Sequence, residues 1–175
     1  MGWPSLAGER MTLRPPRASD ADALLAILLE PEVAKWWVGY TPERVRDEMI
    51  DSDATLVMEI DGACGGAVFL YPENDPEYLH VVIHLFLGAQ WYGHRYGAEA
   101  LTLVIEHLGT LGHHRFTLDP NANNAPAIRS YERLGFKTIG LLRQYQLRPD
   151  GTHEDALFMD LVLSDFPSGL DWRKG

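Results

Sequence analysis

The stretch Asp119-Pro-Asn-Ala-Asn-Asn-Ala-Pro-Ala-Ile-Arg-Ser-Tyr-Glu-Arg-Leu-Gly-Phe136 decides the fold. It follows a strand-like run at residues 114–118 and opens with a polar, turn-rich loop. Asn123 or Asn124 can cap the start of a helix. Pro126 is tolerated in the first turn, where the N–H that proline lacks would have no partner. The stretch therefore predicts a β-strand, a loop and a helix in succession.

The helix predicted over residues 124–134 turns one face toward the interior. Ile128, Tyr131 and Leu134 are three residues apart, so the Tyr131 phenol shares a face with two apolar side chains. A phenol placed in a cleft can donate a proton to a leaving group. The alternative interpretation is an aromatic side chain that packs with its hydroxyl hydrogen-bonded.

This segment resembles the acetyl-coenzyme A signature of the GNAT superfamily of N-acetyltransferases, written N-x-x-A-I-x-x-Y-E-K-x-G-F. The matching residues are Asn124, Ala127, Ile128, Tyr131, Glu132, Arg133, Gly135 and Phe136. The resemblance implies that Asn124, Ala127 and Tyr131 bind acetyl-CoA. It also implies that Tyr131 is the general acid that protonates the leaving thiolate.

A second motif lies between a long strand and the helix that follows it. Gly93 and Gly97 lie where free backbone N–H groups and the positive end of the helix dipole suit a phosphate anion. GNAT proteins carry a Q/R-x-x-G-x-G/A loop at this place, and Gly97-Ala-Glu-Ala-Leu101 sets the register. The resemblance thus implies a coenzyme-binding loop of Tyr92, Gly93, His94, Arg95, Tyr96, Gly97 and Ala98.

The loop departs from the family pattern at two positions. Tyr92 stands where the family has Gln or Arg, and Arg95 stands where it has the middle glycine. A frame that begins at Gln90 recovers the glutamine and Gly93, but it puts Arg95 where Gly or Ala should end the motif. The Arg95 guanidinium can either donate to the pyrophosphate or point into solvent.

Acetyl transfer by direct attack in a ternary complex requires an unprotonated amine, a stabilised oxyanion and a protonated leaving thiolate. An alkyl amine with a pKa near ~10 is ammonium at neutral pH, so a base or a water relay is needed. In GNAT enzymes a backbone N–H before the pyrophosphate loop polarises the carbonyl. On this sequence that donor is Leu85, Phe86 or Leu87.

Three side chains are candidates for the base. His84 lies mid-strand beside the implied oxyanion donor, and histidine titrates near neutrality. Asp119 ends the next parallel strand, where an open α/β sheet places its ligands. Glu59 lies on a neighbouring strand just before a turn. Each is also consistent with a structural role. The predicted catalytic residues are Tyr131, His84 and Asp119.

Two stretches of the sequence suggest the chemical class of the acetyl acceptor. Val33-Ala-Lys-Trp-Trp37 and Leu118-Asp-Pro-Asn-Ala-Asn-Asn124 are similar to parts of aminoglycoside 6′-N-acetyltransferases, in which acidic residues bind the cationic sugar. The similarity implies that Trp37 and Asp119 bind substrate, with a hydrophobic cap over the sheet as the alternative for the tryptophans. The net charge of −10 agrees with a small cationic acceptor such as an aminoglycoside 6′-amine, and equally with solubility alone.

The end of the chain suggests a different acceptor. Phe86-Leu-Gly and Asp150-Gly-Thr-His-Glu-Asp-Ala-Leu-Phe-Met-Asp160 look like acetyltransferases that act on ribosomal-protein amino termini. A protein α-amine is therefore the alternative acceptor. A non-catalytic acyl-CoA sensor is a third interpretation, motivated by Tyr92 and Arg95 in the pyrophosphate loop.

The chain is expected to form a single α/β domain over residues 1–175 with the GNAT order β-α-α-α-β-β-β-α-β-α-β-β. About seven strands in a mixed sheet and four or five helices are predicted. The strands are residues 9–15, 55–60, 65–71, 78–87, 114–118, 138–147 and 153–163, with a tight hairpin at Asp61-Gly62. The helices are residues 19–29, 33–37, 42–50, 97–108 and 124–134.

The composition and net charge of the chain argue against several classes of protein. The 46% apolar and 23% charged content is that of a globular protein, and no apolar run approaches the ~20 residues that span a bilayer. The acidity argues against a general nucleic-acid-binding surface.

A lone Cys64 and the absence of signal-peptide features predict that the protein is located in the cytoplasm. No metal is expected, since His113-His114 lacks further ligands. Apolar residues of the final hairpin and Trp172 permit a homodimer without requiring one.

Overall fold

The computed structural model describes residues 2–167. Trp172, whose apolar side chain would permit a dimer, lies outside the described residues. Packing divides the chain into two compact units whose segments alternate along the sequence. The first unit comprises residues 1–70 and 85–103, and the second comprises residues 71–84 and 104–175. That the whole chain forms one domain stays a prediction.

The described residues form an eight-stranded mixed sheet in the order β1-β2-β3-β4-β5-β6-β8-β7. β5 and β6 pair in parallel, whereas the pairs β1/β2, β2/β3, β3/β4, β6/β8 and β7/β8 are antiparallel. The strands are β1 (Leu6–Ala7), β2 (Met11–Arg14), β3 (Thr55–Ile60), β4 (Ala63–Glu73), β5 (His80–Leu87), β6 (Arg115–Leu118), β7 (Lys137–Leu147) and β8 (His153–Val162).

Five α-helices lie within residues 2–167. They are α1 (Ala21–Leu28), α2 (Pro31–Ala34), α3 (Pro42–Val45), α4 (Tyr96–Thr110) and α5 (Ala125–Leu134). A π-helical turn, Arg46–Ile50, continues α3. Short 3₁₀ turns occupy Ala18–Asp20, Ala89–Trp91 and Leu163–Asp165.

The predicted order of elements and the mixed α/β class are confirmed, with one strand more than expected. The extra strand is β1, whose two residues are too few to show an alternating pattern. β5 begins at His80 and not at residue 78, because the Tyr78 N–H donates to the Asp75 carbonyl (2.8 Å) in a turn. The Asp61-Gly62 hairpin is as predicted, with φ of 50° and 77°.

Two helices begin two residues away from their predicted starts. The helix predicted from residue 19 begins at Ala21, because Ala18–Asp20 form a tighter 3₁₀ turn. The helix predicted over residues 33–37 is Pro31–Ala34, where proline occupies the first turn. Local features of the helix starts, a 3₁₀ turn and a proline, determine where these helices begin. The spacing of apolar residues, on which the prediction depended, does not show these starts.

An apolar core holds the first unit together. Helices α1 to α3 pack on β3, β4 and the end of β5, and the apolar residues buried among them are Leu24, Ile27, Leu28, Val33, Val45, Met49, Val57, Ala67, Phe69 and Phe86. The Trp37 ring lies against this cluster, with its centroid 5.2 Å from that of Phe86 and 5.6 Å from that of Phe69. The hydrophobic-cap interpretation of the tryptophan pair agrees with this packing of Trp37.

A buried ion-pair network ties β2 to β3 and to the start of α1. The Arg14 guanidinium donates to both carboxylate oxygens of Asp20 (2.8 and 2.9 Å) and through Nε to Glu59 (2.6 Å). The Arg17 N–H also donates to Asp20 (2.7 Å). The Arg14 hydrogen bond outweighs burial and holds the pKa of Asp20 below its usual range. Glu59, a candidate base, is thus engaged as a partner of arginine.

We expect Asp20→Asn to lower the free energy of unfolding by about 3 kcal/mol, because removing one member leaves the buried Arg14 charge under-compensated. Urea unfolding at pH 7 measures this change. Since the Asp20 pKa is depressed in the folded state, its contribution is present above the unfolded pKa of about 4 and is lost as the pH falls below it. The difference between the two proteins should therefore shrink on acidification. Asp61→Asn, at the exposed hairpin, is the control, and equal stability of Asp20→Asn and wild type would contradict the prediction.

Candidate active site

The backbone at the end of β5 is held by a close approach from β4. Gly66 has a φ of +153°, and a Cβ added there would lie 2.1 Å from the Phe86 carbonyl oxygen and 3.0 Å from the Leu87 Cα. Only glycine fits at this point. The neighbouring Gly65 accepts the Gly88 N–H at 2.9 Å. This approach sets the backbone path of Leu85, Phe86 and Leu87, where the oxyanion donor is predicted.

Gly65 and Gly66 were missed by the sequence analysis. The signal that could have found them is a glycine pair inside a strand, which marks a bulge or a close backbone approach. The register confirms a bulge, since Met58 pairs with Gly66 while the next residue, Glu59, pairs with Cys64.

The loop that follows β5 has the backbone of a tight, glycine-adapted turn. A 3₁₀ turn at Ala89–Trp91 opens it, and the Glu30 carboxylate accepts the Ala89 N–H at 2.7 Å. Gly93 then has a φ of +79°, and Arg95 has a φ of +64°. A non-glycine residue in the left-handed region costs about 1 kcal/mol. The family's glycine at the Arg95 position therefore matches the conformation that this chain adopts with arginine.

The first turn of α4 presents backbone N–H groups that have no partner within the helix. The first N–H groups of a helix have no partner within it, and here they belong to Tyr96, Gly97 and Ala98. An added Cβ at Gly97 would touch only the Leu85 and Leu87 methyl groups at an ordinary 3.5 Å. The loop and this helix start together fit a pyrophosphate, because such donors and the helix dipole attract anions.

Glu99 anchors the helix start. Its buried carboxylate accepts the Arg10 N–H at 2.9 Å and the Arg10 Nε at 3.0 Å. The same guanidinium lies 4.3 Å from the centre of the Tyr96 ring, and the Trp91 ring meets Tyr96 edge-on at 5.4 Å. These contacts fix the direction in which the first N–H groups of α4 point.

In the second unit, two of the three candidate bases lie together. The His84 Nδ1 is 3.2 Å from Asp119 Oδ1, and Tyr145 donates its hydroxyl to Asp119 Oδ2 at 2.6 Å. The Tyr71 ring meets the His84 ring edge-on at 5.7 Å. A carboxylate only accepts, so the His84 Nδ1 carries a proton, and in the neutral ring the Nε2 then has the lone pair. The geometry thus yields an imidazole oriented for proton acceptance.

The protonation of this cluster follows from its contacts. Burial acts to raise the pKa of Asp119, but the hydrogen bond and charge of His84 and the hydrogen bond of Tyr145 outweigh it and lower that pKa. The same hydrogen bond raises the pKa of Tyr145 to about 12. Asp119 therefore stays a carboxylate and Tyr145 a phenol across the neutral range.

The loop after Asp119 is pinned to β8. The Leu157 N–H donates to the Pro120 carbonyl (2.9 Å), and the Ala122 N–H donates to the Asp155 carbonyl (2.9 Å). The Asn121 side chain is buried, and its amide nitrogen contacts the Glu154 carboxylate at 2.5 Å. Asn121 was not singled out from the sequence, where it is one of three asparagines in a polar loop.

Helix α5 forms as predicted. Asn124 is the cap, since its side-chain oxygen accepts the Ala127 N–H at 3.3 Å, and Gly135 ends the helix with a φ of +102°. Tyr131 is half-buried, with its ring centroid 6.2 Å from that of Phe136 in an edge-on contact. The Asn124 side chain is thus occupied in capping, and the coenzyme roles of Asn124, Ala127 and Tyr131 stay predictions.

Within residues 2–167, no group of three or more His, Cys, Asp or Glu side chains is arranged to hold a metal ion. Across the same residues, no helix combines the length and the apolar composition that crossing a bilayer requires.

A family model described as an acetyltransferase (GNAT) domain matches residues 10–137. The chain belongs to this family. GNAT acetyltransferases use acetyl-CoA, so the chain is an acetyl-CoA-dependent acyltransferase of the N-acetyltransferase class. The resemblance drawn from Asn124–Phe136 is confirmed at the level of the family.

Several GNAT acetyltransferases are similar to this chain. The N-acetyltransferase p20 of Bacillus licheniformis, described as uncharacterized, is 28% identical over 181 residues, which covers 93% of this chain and 98% of the relative. The ribosomal protein bS18–alanine N-acetyltransferase of Salmonella typhimurium is 40% identical over 68 residues, 39% of this chain and 45% of the relative. Mycobacterium smegmatis RimJ in complex with CoA-disulfide has a TM-score of 0.78 at 22% identity, covering 96% of this chain and 93% of that one. At that identity the likeness concerns the fold.

We expect Arg95→Ala to weaken coenzyme A binding about tenfold, because a guanidinium donor to a phosphate contributes roughly 1.5–3 kcal/mol. Arg95→Gly is the matched partner: it removes the same guanidinium and also relieves the left-handed backbone. Isothermal titration with coenzyme A measures both affinities. Wild-type affinity in Arg95→Ala would show instead that the guanidinium does not bind the pyrophosphate.

Proposed function

We propose that this GNAT acetyltransferase transfers the acetyl group of acetyl-CoA to the α-amine at the amino terminus of a protein. The amine attacks the thioester directly in a ternary complex. The observation that carries the proposal is the His84–Asp119 pair, in which a carboxylate orients an imidazole so that its Nε2 can accept a proton. An α-ammonium has a pKa near ~8, within easy reach of a histidine base at neutral pH.

The other roles follow from the backbone geometry. Acetyl-CoA supplies the activated acyl carbon. A backbone N–H at Leu85, Phe86 or Leu87 polarises the carbonyl, and Gly66 supports that role by fixing the strand end. The N–H groups of the loop at Gly93 and of the first turn of α4 hold the pyrophosphate. Tyr131 gives a proton to the leaving thiolate.

Two observations favour a protein α-amine as the acceptor. A relative that aligns over part of this chain is named for acetylating an alanine of a ribosomal protein. The Asp150–Asp160 segment resembles the ends of acetyltransferases that act on ribosomal-protein amino termini. The residues that suggested an aminosugar have partners within the chain. Trp37 packs against Phe69 and Phe86, and Asp119 bonds His84 and Tyr145.

A small polycationic acceptor, such as an aminoglycoside 6′-amine, is the second candidate. It is favoured by the acidic side chains of the second unit, where Asp119, Glu154 and Asp155 are joined by the hydrogen bonds around Asn121 and the β7–β8 hairpin. A net charge of −10 would add long-range attraction for such a cation.

One assay separates these acceptors. The purified protein with acetyl-CoA is given peptides that begin with alanine, the same peptides with a blocked α-amine, kanamycin-type sugars and polyamines, and thiol release is followed. We expect release with free-amine peptides and none with blocked ones, with mass spectrometry placing the acetyl group on the α-nitrogen. Release with sugars alone would replace the proposal by the second candidate. Saturable coenzyme binding without turnover would support a sensor.

We expect Tyr131→Phe to lower kcat at least about tenfold with little change in coenzyme affinity, because only the proton donor is removed. Tyr78→Phe removes an exposed phenol elsewhere in the second unit and serves as the control. Steady-state kinetics and titration with coenzyme A measure the two effects. An undiminished kcat would assign Tyr131 to packing.

Two further expectations accompany the proposal. The cytoplasm is the proposed location, in keeping with Cys64, whose thiol pKa is raised by burial and which is a free cysteine. A homodimer stays a prediction that size-exclusion chromatography with light scattering can decide.

A further inference from the structure

We infer that Tyr145 is a positioning residue for the acetyl transfer, which holds Asp119, and through it His84, in the orientation that accepts a proton. The inference rests on the proposed function of His84 as the base. Tyr145 itself is assigned no contact with either substrate.

The two oxygens of Asp119 are held by donors from two different strands. Oδ1 faces the His84 Nδ1 on β5 at 3.2 Å, and Oδ2 accepts the Tyr145 hydroxyl on β7 at 2.6 Å. A carboxylate anchored at one oxygen cannot rotate freely about its Cβ–Cγ bond, so the second oxygen keeps a fixed direction. The Asp119 side chain is 15% exposed, which limits competition from water for either donor.

Packing does not explain Tyr145. The residue is 55% exposed on β7, so its ring buries little apolar surface. Its hydroxyl nevertheless makes one of the shortest side-chain hydrogen bonds of the second unit, to a charged acceptor. An exposed aromatic side chain with its polar tip directed at a functional carboxylate points to orientation as its role.

A distortion of β7 accompanies this contact. Leu142 pairs with Ala156 and Gln146 with Glu154, so three residues of β7 (143 to 145) lie opposite Asp155 alone. Gln144 takes a φ of +52°, and its N–H donates to the Asp155 carboxylate at 2.7 Å. Bulges re-aim side chains and are frequent beside active sites. This bulge ends at the residue whose hydroxyl reaches Asp119.

Asp155 connects the bulge to the loop that carries Asp119. Its carboxylate holds the bulge through Gln144, and its backbone carbonyl accepts the Ala122 N–H at 2.9 Å. One residue of β8 thereby fixes both ends of the Tyr145–Asp119 hydrogen bond. The contact is therefore built into the backbone and does not depend on a surface side chain finding a nearby acceptor.

The effect of removing the Tyr145 hydroxyl on His84 follows from the groups that surround the imidazole. The groups that face the imidazole are the Tyr71 ring edge from β4 and the Asp119 carboxylate after β6, and Tyr145 from β7 bonds that carboxylate. Glu154 and Asp155 of β8 are engaged by Asn121 and by the bulge. Without the Tyr145 hydroxyl, Asp119 would rotate more freely and would face the His84 Nδ1 for less of the time. The variant should thus hold the ring less well aligned for proton acceptance.

The test compares wild type, Tyr145→Phe, Asp119→Asn and the control Tyr78→Phe. We expect Tyr145→Phe to lower kcat about three- to tenfold and to leave the KM for acetyl-CoA unchanged. The acid limb of its pH–rate profile should move to lower pH, toward that of Asp119→Asn, because the carboxylate charge faces the imidazole less in the first variant and is lost in the second. A merely structural tyrosine would not move the pH profile. A kcat and a profile equal to those of wild type in Tyr145→Phe would overturn the inference.

A second measurement keeps this inference separate from the proposed function. Nitrogen-15 NMR of the His84 ring reports its tautomer without any turnover. We expect the Nδ1–H form to dominate in wild type and in Tyr78→Phe, and its share to fall in Tyr145→Phe. Inactivity of wild type on every amine would overturn the proposed function. The tautomer would then still decide the positioning role, and an unchanged tautomer share in Tyr145→Phe would refute it.

Discussion

The Asp119 carboxylate is the constraint on which the arrangement of polar side chains in the second unit, and the chemistry proposed for them, depends. It ends β6 in a loop that β8 holds by backbone hydrogen bonds, and it receives donors from β5 and β7. A carboxylate with both oxygens engaged has one orientation, and it selects one tautomer of His84. Its depressed pKa and the raised pKa of Tyr145 keep the Asp119–Tyr145 pair in a single protonation state near neutrality.

In the first unit, the predicted coenzyme-binding residues contribute mainly backbone N–H groups. A glycine that no other residue can replace sets the end of β5, and a buried glutamate bound to Arg10 sets the start of α4. The left-handed Arg95 shows that the loop keeps a glycine-like path even where its sequence departs from the family. Backbone geometry, more than side-chain identity, defines the predicted coenzyme-binding residues of this unit.

Much of the fold could be predicted because its signals are local. The cap at Asn124, the proline in the first turn of α5 and the left-handed Gly135 obey rules that operate within a few residues. The same holds for the Asp61-Gly62 hairpin. β1 was not predicted because a strand of two residues is too short to show an alternating pattern. The start of α1 was misplaced because a 3₁₀ turn and the Arg14–Asp20 ion pair precede the helix.

The sequence by itself determined the family, the order of the elements and the residue types that the chemistry needs, since these depend on short motifs and on hydrophobic periodicity. Only the tertiary structure showed which partners the candidate residues have: it placed His84 beside Asp119 and Glu59 beside Arg14, and it packed Trp37 against the core. It also brought in Tyr145, which no motif marks. These choices depend on strand register and on a bulge in β7. Strand register brings Tyr145 to Asp119 across 26 positions of the sequence, and His84 to Asp119 across 35 positions. No local sequence pattern shows that residues so far apart will be in contact.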